Sequence, residues 1–354
     1  MKALVLSGGS GTRLRPFTYS MPKQLIPIAN RPVIEHVLDG IRALGVTEVG
    51  VVVGERRPEI EAVLGDGSAL GVRITYLSQQ QPLGLAHAVS VAREFLGDDD
   101  FVMYLGDNML PQGVTEIAAE FRAERPSAQV VVCKVPDPRA FGVAEVDPDG
   151  RVLRLVEKPA QPRSDLALVG VYFFTPDIHR AVAAIVPSAR GELEITDAIQ
   201  WLVAEGADVR AREYSGYWKD TGRVEDVLEC NRELLDGITR SVRGEVDERS
   251  VLIGEVIVEE SARVVNSRIE GPVVVGRGSV VENSHIGPHT AIGRDCLLSD
   301  TWVDHSIALD GATVSGVRGV HGSLIGRSAA VTSVRSKHHH RLVVGDHTQV
   351  EVAA

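Results

Sequence analysis

Residues 1–16 read MKALVLSGGSGTRLRP, and the fold of the first part of the chain turns on them. Ala3–Leu6 is a continuous apolar run that ends at glycines and is too short for the apolar core of a signal peptide. Such a run reads as a buried strand opening into a glycine-rich turn. Outward from it the same alternation repeats. Val33–Leu44 carries apolar residues at helical spacing, with Gly45 as its stop, and Val49–Val53 is apolar and β-branched. Leu85–Phe95 reads as a helix, Phe101–Leu105 and Val130–Val135 read as strands, and Ala181–Ile185 lies in a helix. Continuous apolar strands between amphipathic helices predict an α/β domain with a mostly parallel sheet. Ligands of such sheets bind at the carboxyl ends of the strands, here from Ser7 onward and from Gly106 onward.

Charge singles out the same stretch. The chain carries 37 Lys and Arg against 48 Asp and Glu, a net charge of −11. That balance argues against general nucleic-acid binding. Yet residues 1–34 hold Lys2, Arg13, Arg15, Lys23 and Arg31 and no Asp or Glu, which suggests a local anion site. The turn Ser7-Gly8-Gly9-Ser10-Gly11-Thr12-Arg13 is neither a Walker A loop nor a Rossmann fingerprint, because a cation stands where those motifs need Gly-Lys-Ser/Thr or a third glycine. Glycines let backbone N–H groups form a nest for phosphate, Arg13 can grip it bidentately, and Lys23 adds a point charge.

At 354 residues and about 150 per domain, the chain reads as two domains. We place them at 1–240 and 241–354, with a helix over Val224–Leu235 near the join. After the join, helical patterns give way to short β-branched runs with glycine. Ile269, Val275 and Val281 are six residues apart, as are Ile286, Ile292 and Leu298; Val314 and Val320, and Ile325 and Val331, repeat the step. This hexapeptide pattern predicts a left-handed parallel β-helix, with phase slips that imply irregular coils. No apolar run approaches the ~20 residues a membrane helix needs. Cys133, Cys230 and Cys296 form no CxxC and fit a reducing cytoplasm.

Further along, Leu105-Gly106-Asp107-Asn108 puts a carboxylate at the end of a buried strand, a fair place for a metal. Val156-Glu157-Lys158-Pro159 pairs an acid with a base, and Gln79-Gln80-Gln81-Pro82-Leu83-Gly84 offers amides that can read a base edge. Together with PKQLIPI at 22–28, FGVAEV at 141–146, GELEITD at 191–197 and YWKDTG at 217–222, these motifs resemble, in order, the sugar-1-phosphate nucleotidylyltransferases. The resemblance is closest to the long-form glucose-1-phosphate thymidylyltransferases, which add a hexapeptide domain.

The resemblance implies a Rossmann-like nucleotidyltransferase domain and a residue set. Asp107 and Asp220 would hold Mg²⁺ against the nucleotide phosphates. Leu6, Gly8, Gly9, Gly11, Thr12, Arg13, Gln24, Gln79 and Gly84 would bind the nucleotide. Gly142, Glu157, Lys158, Leu168, Tyr172, Arg190 and Glu192 would bind the sugar phosphate. The substrates implied are dTTP (or another nucleoside triphosphate) and glucose 1-phosphate, another sugar phosphate or a cyclitol phosphate. No nucleic-acid or membrane partner is implied, and a homo-oligomer, trimer or tetramer, is. QQQPLG and Val169 depart from many thymidylyltransferases, and both touch substrate choice.

The implied reaction makes an NDP-sugar and pyrophosphate by attack of the sugar phosphate on the α-phosphorus. The nucleophile is already an anion, so no general base is needed. Two unit charges about 4 Å apart repel by ~4 kcal/mol at an effective dielectric of 20. Arg13, Lys23, Lys158 and Mg²⁺ would offset that. Two rival readings stay open. One is acyl transfer by a β-helix histidine among His285, His289, His305 and His321. The other is a non-catalytic scaffold. The run His338–His340 reads as a terminal turn.

Overall fold

The computed structural model describes residues 1–333 and 347–350; the run His338–His340 lies outside them. The chain divides into two compact units. One is Met1–Ser10 with Val33–Asp220, and the other is Gly11–Pro32 with the residues from Thr221 onward.

In the first unit the strands are β1 (Lys2–Ser7), β2 (Glu48–Val53), β3 (Arg73–Ser78), β4 (Phe101–Leu105), β5 (Asn108–Met109), β6 (Ala128–Lys134), β7 (Gly142–Val146), β8 (Val152–Glu157), β9 (Leu166–Phe174), β10 (Val209–Glu213) and β11 (Lys219–Asp220). The parallel core runs β4-β1-β2-β3. Leu6 stands beside both Leu105 and Val52, and Val53 beside Ser78. Leu4, Val5, Val51 and Met103 are fully buried, as strands covered on both faces must be. Beyond β4 the sheet turns mixed. β9 runs antiparallel to β4, β6 and β7; β7 and β8 form a hairpin; and β10 returns parallel to β6. The expected parallel core is therefore extended by an antiparallel flank. β9 also breaks register between Leu168 and Tyr172.

Helices pack where the apolar spacing places them: α1 (Val33–Ala43), α2 (Arg57–Leu64), α3 (Leu85–Val91), α4 (Arg93–Leu96), α5 (Thr115–Glu124), α6 (Ile178–Ala184) and α7 (Ile195–Ala204). α1 ends at Ala43, and Gly45 two residues on, at a φ of 74°, donates its N–H to the Arg42 carbonyl. The single helix expected over Leu85–Phe95 is two segments meeting at Ala92.

The second unit holds α8 (Val224–Asp236) and three parallel sheets in which every third strand pairs. That is a parallel β-helix of three faces. Ile269, Val275, Val281, Ile286, Ile292, Leu298 and Val314 are fully buried, so the six-residue step is the inward column. Val273 pairs with Thr290, 17 residues on, and Ala291 with Ile307, 16 on. Coils shorter than three full hexapeptides account for the phase slips. Ser284 N–H donates to Ser267 Oγ, and Thr301 N–H to Ser284 Oγ, lacing successive coils at one column.

The segment Gly11–Pro32 makes three short 3-10 turns and a hairpin of Pro27–Ile28 with Arg31–Pro32. The Ala29 N–H donates to Asn231 Oδ1 on α8, and the Asn30 side chain donates to the Ile292 carbonyl.

Candidate active site

In the first unit the site grows from the carboxyl ends of β1 and β4. The Gly106 N–H donates to the Leu6 carbonyl, so Ser7-Gly8-Gly9 and Asp107 leave adjacent strands side by side. Gly9 takes a φ of 92°, and the Ser7 hydroxyl is buried with no partner among the described residues. Asp107 is 8% exposed. Directly after it, β5 pairs antiparallel with β11, and Asp220 stands opposite Asn108. The two aspartates, 113 residues apart in sequence, are thus one residue apart across a short ladder. Asn108 is buried between them in the network; its amide donates to Asp107 Oδ1 at 3.2 Å and its carbonyl accepts from Trp218 Nε1 at 2.7 Å. Two carboxylates brought to one short ladder are the donor type that suits a hard divalent cation.

Trp218 extends this end toward the next. Its ring meets Phe141 edge-on at 5.1 Å, and Gly142 follows. Gly142 is registered with Glu157 across β7 and β8. A Cβ at Gly142 would come within 2.7 Å of the Leu168 side chain and 2.9 Å of Thr196, so a larger residue would force those side chains to shift. Glu157 accepts from Thr196 Oγ1 at 3.3 Å. Its other oxygen lies 3.5 Å from both Lys158 Nζ and Arg190 Nη1. Arg190 also reaches Glu192 and the buried Glu194, and both cations stay more than 40% exposed. Burial raises the Glu194 pKa, while the Ser188 hydroxyl lowers it. Lys158 has a φ of 43°, a left-handed conformation unusual outside glycine and frequent where side chains are aimed for function. Leu168 and Tyr172 are buried; the Tyr172 ring stacks on Phe174, and burial raises its phenol pKa.

The loop after β3 carries the third part. Gln79 N–H continues the sheet by donating to Val53. The Gln79 side-chain amide donates to the Gly84 carbonyl at 3.3 Å and faces His87 Nδ1 at 2.9 Å. With both amide hydrogens used inside the protein, the Gln79 Oε1 remains to accept from a ligand. Gly84, at φ 108°, lies so close to the Leu193 backbone that a Cβ would stand 2.4 Å from its carbonyl oxygen. The Leu193 N–H donates to Leu83, and Leu193 accepts from Ala86. The Gln79 loop is therefore strapped to the segment that carries Arg190 and Glu192.

The structure thus gathers Leu6, Gly8, Gly9, Gln79, Gly84, Asp107, Gly142, Glu157, Lys158, Leu168, Tyr172, Arg190, Glu192 and Asp220 within the first unit. Gly11, Thr12, Arg13, Lys23 and Gln24 fall in the second. There Arg13 is exposed, Gln24 is buried, and the Thr18 hydroxyl donates to the Gly11 carbonyl. Sequence reasoning gave no role to His87, Trp218 or Thr196. Trp218 stands inside the quoted YWKDTG motif and His87 one turn into α3, but nothing in either spacing shows what it touches.

Residues 2–237 match the nucleotidyl transferase family model. The chain belongs to the nucleotidyl transferase family. Residues 227–341 match the fucose pyrophosphorylase domain. The chain is 56% identical to glucose-1-phosphate thymidylyltransferase of Streptomyces griseus over the whole of both chains. It is 53% identical to the enzyme of that name from Streptomyces antibioticus over 99% of each. The crystal structure of UDP-glucose pyrophosphorylase with UDP-glucose superposes with a TM-score of 0.60 at 25% identity, covering 66% of this chain and 98% of that one.

Proposed function

We propose that this nucleotidyl transferase moves a thymidylyl group from dTTP to α-D-glucose 1-phosphate, giving dTDP-glucose and pyrophosphate for deoxysugar synthesis. The observation that carries the reaction class is the β5–β11 ladder that sets Asp220 beside Asp107. The choice of thymidine and glucose draws support from the two Streptomyces relatives that match along the full chain.

The Gly8-Gly9 turn cradles the triphosphate, and Arg13 and Lys23 bring cations to it. Leu6, Gly11, Thr12 and Gln24 belong to the same nucleotide set. Gln79 Oε1 accepts from the N3–H of the thymine, with His87 and Gly84 holding the amide in that orientation. Glu157 accepts from glucose hydroxyls, while Lys158 and Arg190 draw in the sugar phosphate. Asp107 and Asp220 would hold Mg²⁺, which when bound neutralises charge on the nucleotide phosphates. One sugar-phosphate oxygen forms its bond to the α-phosphorus as the bond to pyrophosphate breaks. The residues position the two anions and screen their repulsion, as in other phosphoryl transfers. We place the enzyme in a reducing compartment, where its three free thiols persist, and as a homo-oligomer.

The test is product identification by mass after incubation with dTTP, glucose 1-phosphate and Mg²⁺, in wild type and in Asp220→Asn. Wild type should yield dTDP-glucose. The variant should fold and lose about 100-fold in kcat, the scale of one lost electrostatic contact in the transition state. An unimpaired Asp220→Asn enzyme would contradict the assignment of the aspartate pair.

A further inference from the structure

One column of the β-helix carries chemistry that nucleotidyl transfer does not use. His289 and His305 occupy equivalent corners of successive coils, both with left-handed backbone, and His321 follows on the next coil beneath Asp304. Their rings neighbour one another in sequence, tilted, at centroid distances of 4.9 Å and 5.1 Å. Asp304, His305 and His321 each offer a ligand atom within 4.8 Å of the others.

The hydrogen bonds fix which nitrogen is free. Asp236, at the end of α8, accepts from His289 Nε2 at 2.8 Å. A neutral His289 then has only a lone pair at Nδ1, so His305 Nε2 must donate to it across 3.2 Å. That leaves His305 Nδ1 as a bare lone pair. This atom is buried and has no hydrogen-bond partner among the described residues. A buried acceptor without a donor costs about 1–3 kcal/mol, and a cation would satisfy it. His321 Nδ1 and Asp304 Oδ1, 2.5 Å apart, complete a set of two imidazoles and one carboxylate.

We propose that Asp304, His305 and His321 bind a borderline transition-metal ion of the Zn²⁺ type, oriented from behind by the Asp236–His289 relay. Two nitrogens and one oxygen suit Zn²⁺ or Co²⁺ rather than Mg²⁺. A tetrahedral ion about 2.0–2.2 Å from each ligand needs them roughly 3.4 Å apart, inside the spread seen here. A carboxylate that steers a histidine is the common outer support of such sites. These residues belong to the second unit and the Asp107–Asp220 pair to the first, and the proposal does not depend on the proposed reaction.

The test is equilibrium dialysis of the chelator-stripped full chain against Zn²⁺, and against Co²⁺ with its visible spectrum, in excess Mg²⁺. The background carries His338→Ala, His339→Ala and His340→Ala, because that run can bind metal itself. One equivalent should bind in this background. His305→Ala and the exposed-site variant His321→Ala should each weaken binding by 100-fold or more. Asp236→Asn, which touches no metal, should weaken it by about 10–100-fold. Circular dichroism verifies that each variant is folded. Loss of the equivalent in the triple-alanine background, or its retention in folded His321→Ala, would overturn the proposal.

Discussion

At the scale of single residues, the site depends on side chains that hold other side chains. Gln79 can read a base only if its amide is held one way round, and His87 and Gly84 do that. His87→Ala should therefore raise KM for dTTP by about 5–10-fold, the worth of one hydrogen bond, with kcat nearly unchanged. Initial rates over a dTTP series separate the two; a fall in kcat with KM constant would place His87 elsewhere in the cycle. The placement of Asp107 just past a buried strand was legible in the sequence, from the apolar run and the glycine before it. Trp218 was not, since an indole beside Asn108 and Phe141 is a matter of tertiary contact that no local spacing encodes.

At the scale of elements, α7 and the β-helix coils make separate claims. Asp197 lies in the first turn of α7, and burial raises its pKa above the ordinary carboxylate value. A raised carboxyl pKa favours the folded state below the unfolded value and loses that advantage as pH rises through the folded one. Asp197→Asn should thus gain Tm over wild type from about pH 4 upward and match it below. Melting curves across that range check the sign; a gap that widens on acidification would refute it. In the β-helix, Ile286 is fully buried in the inward column. Ile286→Ala should cost about 2–5 kcal/mol, measured by denaturant unfolding, as cavities in packed cores do. The hexapeptide step made this column readable in advance. The offsets of 16 and 17 residues were not, because corners lose residues without disturbing the inward aliphatics.

At the scale of the whole molecule, the sequence carried the architecture well: glycine after a short strand, then alternation, then six-residue steps. What it understated was the antiparallel flank built on β9. A buried apolar strand looks alike whichever way its neighbours run, so direction is set by connections and not by composition. That flank matters, because β7, β8 and β9 carry Gly142, Glu157 and Leu168, while Gly8, Gly9 and Asp107 follow the ends of the parallel strands β1 and β4. Under the proposed assignment, the nucleotide residues of the first unit lie at the ends of the parallel strands, while Gly142, Glu157 and Leu168 of the sugar set lie on antiparallel ones. The measurement that tests this account most directly is pyrophosphate release with Mg²⁺ and glucose 1-phosphate, offering dTTP, UTP, ATP, GTP and CTP in turn. The account predicts the highest kcat/KM with dTTP. Absence of pyrophosphate release with dTTP, while another nucleotide turns over, would contradict it.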